Sequence, residues 1–182
     1  AAVRQAKPLA ALPWLAGLIA LALVAIYGYL SPAWTELPPG ERPAALYGED
    51  QVALLDYRFT GRLYPGAEVQ LDVNWQCLGR LDKDYTVFVQ ALDSEQTIWG
   101  QQDVQPQGGD SPTSSWTPGQ IISDTYTLEI DPAGPSQGYQ VIIGFYDLDT
   151  GKRLAAGADD KVILDTSPGT HRGAWTCQEA AP

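Results

Sequence analysis

The chain has 182 residues, 45% of them apolar and 18% charged, with a formal net charge of −11 at pH 7. That apolar content suffices for a packed core and excludes a disordered chain, while the acidic balance repels phosphate backbones and argues against a nucleic-acid partner. All 22 acidic residues lie at Glu36 or beyond, whereas the segment before Glu36 carries only Arg4 and Lys7 as charged side chains.

The first element in chain order is an apolar run. Residues 9–30, LAALPWLAGLIALALVAIYGYL, contain no charged residue. At the helical rise of ~1.5 Å such a run extends about 33 Å, close to the thickness of a bilayer's hydrocarbon layer. Pro13 falls in the first turns, where a missing N–H is tolerated. Trp14 sits near one end, and Tyr27, Tyr29 and Trp34 near the other, as interfacial aromatic residues do. The run therefore predicts one transmembrane helix after a cytoplasmic stub at 1–8. The basic start places the N-terminus in the cytoplasm and the acidic body outside the cell membrane, periplasmic or extracellular. A cleaved signal peptide shares these features, but the run is long for one and SPAWTELPPGE offers a poor cleavage site. The span has no ionisable residue, hence no proton relay and no imidazole ligand. Ala16, Gly17 and Ala20 give it a small-residue face suited to packing on a partner helix.

A Pro-rich tether at 31–46 follows, and from about Tyr47 the pattern has period two. In EVQLDVNWQ, Val69, Leu71, Val73 and Trp75 alternate with polar residues, which predicts one buried and one wet face. DYTVFVQALD (84–93) puts Tyr85, Val87, Val89 and Ala91 on one face and Phe88 on the other. Further strands are predicted at 52–60, 96–102, 120–130 and 138–147, with short ones at 152–156 and 161–165. DTGK (149–152) is a tight turn with Gly151 at positive φ. Seven or eight short strands without a helical period predict an all-β fold, an antiparallel β-sandwich over 47–182 with a C-terminal tail. A closed barrel is the alternative.

Cys77 ends a predicted strand and Cys177 lies in the tail GAWTCQEAAP. In an oxidising extracytoplasmic space the two are expected to pair and pin the tail. Catalytic chemistry finds little support. The single histidine, His171, sits in the turn-rich SPGTHRGAW, and no nucleophile elbow, zinc spacing or phosphate-binding glycine loop is present. Asp56, Asp72, Asp93, Asp124 and Glu129 supply carboxylates for a glycoside hydrolase only in the sense that composition does. Asp147, Asp149, Asp159 and Asp160 are weak candidates for Ca²⁺, since D-x-D-x-G lacks the remaining positions of a calcium loop. No cofactor is expected. Trp99 and Trp116, at strand ends or in loops, either pack on the core or the sandwich edge, which Trp116 is expected to cap, or are the residues by which a sugar or a protein partner could be contacted.

The stretches YPG (64–66), VQLDVNWQCL, LDKDYTVFVQALD (81–93), GGDSPTSSWTPGQIISD (108–124) and GYQVIIGFYDLDTGKRL (138–154) together carry a resemblance. From Tyr64 to Arg153 the chain resembles a β-sandwich appended after the last transmembrane helix of some bacterial glycosyltransferases of the dolichyl-phosphate-mannose type. These are framework motifs and imply no catalytic residue, because the transferase chemistry of that family belongs to other, multi-span parts. The departures are the Cys77–Cys177 pair and the single span. Methionine is absent, position 1 included, so the chain is expected to be processed or cut from something larger. It is either the end of such a transferase or a single-pass accessory subunit that reuses the sandwich. The basic AAVRQAK start and the small-residue face favour the second: a non-catalytic scaffolding subunit of a larger membrane complex, in contact with lipid. A carbohydrate-binding module is the alternative.

Overall fold

The computed structural model describes residues 43–172. The apolar run at 9–30, with Ala16, Gly17 and Ala20, lies outside them, as does Cys177; no helix among the described residues is long and apolar enough to cross a membrane. The described chain is all-β, with nine antiparallel strands in two sheets. They are β1 (Ala45–Tyr47), β2 (Val52–Thr60), β3 (Glu68–Cys77), β4 (Tyr85–Leu92), β5 (Ile98–Val104), β6 (Ile121–Glu129), β7 (Gln140–Asp147), β8 (Val162–Leu164) and β9 (Gly169–Arg172). One sheet has the order β1-β2-β3-β6, with β9 beside β2; the other has the order β5-β4-β7-β8.

Period two explains the packing. Val69, Leu71, Val73 and Trp75 of β3 are buried, as the alternation predicts, and face Val87, Val89 and Ala91 of β4 and Val141, Ile143 and Phe145 of β7 within one core. Four large rings knot its centre. Trp75 meets Phe145 at 4.8 Å and Tyr47 at 5.9 Å between centroids, Tyr47 meets Phe145 at 5.3 Å, and Trp116 meets Phe145 at 6.5 Å, each edge-on. Edge-on pairs of this kind add to the area term of burial. The Tyr47 hydroxyl crosses between the sheets to donate to the Ile143 carbonyl at 3.1 Å. Burial raises its pKa, so it stays a neutral donor.

The arch 105–120 is fixed by its own polar residues. Thr113 Oγ1 donates to the Lys83 carbonyl at 2.7 Å and accepts from Tyr85 N at 2.8 Å. Ser114 N donates to Asp84, and Trp116 Nε1 donates to Ser111 O and Oγ, both at 3.0 Å. Gly119, at φ 91°, turns the chain into β6, and its N–H donates to the Cys77 carbonyl at 2.7 Å. Trp116 is thereby carried inward and is 2% exposed. Its ring is core: of the two readings of Trp116, packing against the sandwich holds, and contact with a sugar or partner is corrected.

Several predicted elements shift. β1 lies at the end of the predicted tether, so the sandwich starts before Tyr47. Residues 152–156 form isolated bridges, Tyr146↔Arg153 and Ala156↔Asp159, in place of a strand. The reason is that the chain peels off β7 to cover a second small cluster, Phe88, Leu92 and Ile142, on the outer face of the four-stranded sheet. There the Arg153 guanidinium sits 4.2 Å from the Phe88 ring centre. Gly144 makes room beneath, since a Cβ there would lie 2.6 Å from Phe88 Cζ. β4 and β7 are accordingly buried on both faces, and their alternation is weak. The turn at Gly151 forms as predicted, with φ 68° and its N–H bonded to the Asp147 carbonyl. β9 has no apolar pattern to announce it.

Two predictions follow from this packing. Trp116→Ala should lower unfolding stability by about 3–5 kcal/mol, while Ile163→Ala, at a 57% exposed position, should stay within ~0.5 kcal/mol; urea titration of both reads the difference. The second concerns Lys83 and Asp147, which form an ion pair. The Lys83 hydrogen bond, chiefly, holds the Asp147 carboxyl below its usual pKa, and the same bond raises that of Lys83. A carboxyl depressed in the folded state stabilises fully above its unfolded pKa of about 3.9, and that contribution is lost as pH falls through the folded value. Asp147→Asn should therefore cost stability at pH 7 and progressively less below about pH 4, seen as converging urea midpoints.

Candidate functional site

The outer face of the five-stranded sheet is polar and open. Because inward positions of β3 are apolar, Gln70, Asp72 and Asn74 must point outward, and the strand register extends them into rows. One row runs Arg172, Asp56, Asn74, Ser123; the next runs Thr170, Arg58, Asp72, Thr125. A bulge in β2 between Leu54 and Asp56 keeps Asp56 in register with Asn74.

The side chains of these rows bond to one another. Asn74 Nδ2 donates to Asp56 Oδ1 at 2.8 Å, and Ser123 Oγ donates to Asn74 Oδ1 at 2.7 Å. Asp72 Oδ1 accepts from Thr125 Oγ1 at 2.9 Å and from Gln70 Nε2 at 3.0 Å. Among the described residues the second oxygen of Asp72 has no donor, and Arg58 has no ion pair.

A wall closes the side next to β6. Gln107 N donates to Asp124 Oδ2 at 2.9 Å and Gln107 Nε2 donates to the Ser123 carbonyl at 3.1 Å. Gln107 has φ 54° and ψ 38°, a left-handed conformation costing roughly 1–2 kcal/mol for a residue with a Cβ. Asp124 Oδ2 also accepts from the Tyr126 hydroxyl at 2.7 Å. Burial first, and the Asp124 charge second, push that hydroxyl's pKa up, so it remains a donor. Floor and wall bound a trough of about 590 Å³, within the usual range of small-ligand sites, ~300–1,000 Å³.

The trough gathers three of the five carboxylates considered for hydrolysis, Asp56, Asp72 and Asp124. Asp93 and Glu129 are not among them. Asp93 instead accepts from Trp99 Nε1 at 2.8 Å and from the N–H groups of Glu95 and Thr97, and Glu129 stands opposite Glu68. The Trp99 hydrogen bond, first among these, holds the Asp93 carboxyl below its usual range. Trp99 is half-buried at the wall of a separate cavity. His171 lies on β9, stacked on Tyr57 at 4.9 Å, with Nε2 2.7 Å from the Ser167 carbonyl. No serine hydroxyl is thereby activated.

The calcium set does not converge. Asp147 is committed to Lys83 and to the N–H groups of Asp149 and Thr150, and Asp160 to Arg153 and Lys161. Asp149 and Asp159 complete no site, and among the described residues no group of three His, Cys, Asp or Glu is placed to hold a metal ion. Cys77 is fully buried and has no disulfide partner among the described residues, which do not include Cys177; its Sγ donates to the Gly79 carbonyl at 3.2 Å, and burial raises its pKa.

Sequence reasoning marked the wet face of β3 but missed Arg58, Asn74, Ser123 and Thr125 as neighbours. Only the pairing register joins them. Chemically, the trough offers fixed acceptors and donors side by side, a match for a ligand bearing many hydroxyl groups. No known family model matches the chain, and comparison with curated proteins yields no relative.

Asn74→Ala removes the amide that bridges Asp56 and Ser123. Unfolding free energy should fall by about 0.5–1.5 kcal/mol, measured by urea titration, with the far-ultraviolet spectrum unchanged.

Proposed function

We propose that this protein is a non-catalytic, membrane-anchored accessory module whose sandwich binds carbohydrate in the trough of the five-stranded sheet. The observation carrying the reading is the convergence of Arg58, Asp56, Asp72, Asn74, Ser123 and Thr125 around one cavity. Sugar hydroxyls both donate and accept. Carboxylate, amide, hydroxyl and guanidinium groups fixed on strands supply complementary partners without reorganisation. Hydrogen bonds to charged groups are the stronger kind, about 1.5–3 kcal/mol each.

The anchoring half of the proposal draws on the sequence. The apolar run at 9–30 is a single span with the N-terminus cytoplasmic, and the acidic sandwich stands outside, carried by a Pro-rich tether. The small residues Ala16, Gly17 and Ala20 dock the span on helices of a larger membrane assembly, to which the module contributes glycan recognition. The resemblance of 64–153 to the tail sandwich of membrane glycosyltransferases fits the same placement.

A panel of immobilised neutral oligosaccharides, probed with the full chain in mild detergent, tests the reading. At least one glycan should bind, and Arg58→Ala and Asp72→Ala should each weaken it about tenfold or more, since losing a charged hydrogen bond costs ~1.5–3 kcal/mol. Arg58 makes no ion pair among the described residues, so the melting temperature of Arg58→Ala should change little, whereas Asp72→Ala also loses its bonds from Thr125 and Gln70 and should unfold about 0.5–1.5 kcal/mol more easily. Binding unaffected by both substitutions would place the ligand elsewhere, and no binding to any member would remove the carbohydrate reading.

A further inference from the structure

The trough does not end where its walls do. Along β3 and β6 the outward register pairs continue from Asn74–Ser123 and Asp72–Thr125 to Gln70–Thr127 and Glu68–Glu129. All of the last four are exposed. At ~3.4 Å per residue the six steps from Asn74 to Glu68 cover about 20 Å of polar, uncovered sheet.

The last pair of that stripe, Glu68 and Glu129, also lines a second cavity of about 570 Å³, together with Trp99, Ile130, Asp131 and Pro132. Trp99 is not loose. Its Nε1 is held by Asp93, which is itself held by two backbone N–H groups of the 93–97 turn, and its own carbonyl accepts from Asp131 N at 2.7 Å. The indole is thus a fixed apolar plate bordering a cavity that it shares with three carboxylates, Glu68, Glu129 and Asp131. Glu68 and Glu129 stand directly opposite one another, a like-charge pairing that destabilises an antiparallel sheet. A stretch of sheet kept open, wet and electrostatically unfavourable has the character of a surface shaped for contact.

We infer that the trough and the Trp99 cavity are the two ends of one groove, and that its ligand is an extended oligosaccharide without acidic groups. This rests on the carbohydrate reading of the trough and adds its length and charge class. In the trough the ligand is read by hydrogen bonds; at the far end a sugar ring lies against the Trp99 face, apolar C–H side to the indole. Asp56, Asp72 and Asp124 at one end and Glu68, Glu129 and Asp131 at the other outnumber Arg58 and the neighbouring Arg172. Uronate, sulfate or phosphate groups would meet like charge along the whole path.

The experiment uses the full chain in mild detergent against neutral oligosaccharides of two to eight units and uronic-acid oligomers of the same lengths. Wild-type affinity should rise about tenfold from the shortest bound member to those long enough to span both cavities, which corresponds to roughly 1.4 kcal/mol. The uronic series should not bind. Trp99→Ala should erase the gain with length and leave the short members' affinity unchanged. Glu68→Lys, on an exposed position that the fold does not need, should likewise reduce the gain and narrow the discrimination against the acidic series, so the conclusion does not hang on the folding of the tryptophan variant. Length-independent affinity in the wild type, or equal loss of short and long members in both variants, would overturn the groove while leaving the trough intact. Acidic oligomers binding the wild type as well as neutral ones would overturn the charge class. Absence of binding by every oligosaccharide would instead strike the carbohydrate reading itself.

Discussion

The knot of Tyr47, Trp75, Phe145 and Trp116 is the constraint on which the other features depend. Trp75 and Phe145 come from facing sheets, Tyr47 from an edge strand and Trp116 from a connecting arch, so one contact set fixes two sheets and a loop. With Trp75 inward, the side chains of β3 at even numbers from 68 to 74 are outward. A slip of one residue would invert that assignment and drive Asp72 and Asn74 into the core. Burying such groups without partners costs several kcal/mol, so the aromatic packing and the trough's composition are one fact seen from two sides. The Tyr47 bond to Ile143 adds direction, since a hydrogen bond between sheets tolerates less sliding than rings do.

The two outer faces have different fates. On the four-stranded sheet, the segment after β7 folds back and lays Arg153 on Phe88, and the glycine at 144 admits the phenyl ring. That face is closed by the chain's own loop. Among the described residues the five-stranded sheet carries no comparable cover over β3 and β6, and its side chains satisfy one another laterally. At the margin between the sheets, Gln102 Oε1 accepts from Thr127 N at 2.6 Å, which blunts the β6 edge against pairing with another strand. Recognition by the open face, as proposed, would therefore proceed through side chains and not through strand addition at that edge.

Much of the fold was legible because β2, β3 and β6 obey period two with turn residues between them. β4 and β7 were legible as strands for another reason, their β-branched and aromatic content, while their second buried face could not be anticipated without the loop that makes it. β9 is short, polar and edge-lying; Thr170 and Arg172 gain order only from pairing with β2, and local propensity carries no trace of that. Trp116 shows the limit most clearly. A tryptophan between serines and prolines can be read as packing on the sandwich or as facing solvent, and the bonds of Ser111 and Thr113 that turn the indole inward leave no periodic signal to decide it. The trough failed to emerge from sequence for the same reason: Asp56, Asp72 and Ser123 are separated by dozens of residues, and only register makes them neighbours.

The wall of the trough is wired to the core. Tyr126, fully buried, donates to Asp124, and Asp124 accepts in turn from the N–H of Gln107, a residue held in a left-handed conformation. Strain of this kind persists where the surroundings over-determine it, and it is concentrated at sites where shape matters. Here the over-determination is visible, because a charged acceptor anchored on a buried hydroxyl holds the strained backbone in place, and the Gln107 side chain adds a second bond to the Ser123 carbonyl. A wall fixed in this way costs little further ordering when a ligand enters. For weakly bonding, heavily hydrated ligands such as sugars, that saving decides whether a few hydrogen bonds suffice for binding. The rigidity of the aromatic core thus reaches the outer surface through one tyrosine and one aspartate.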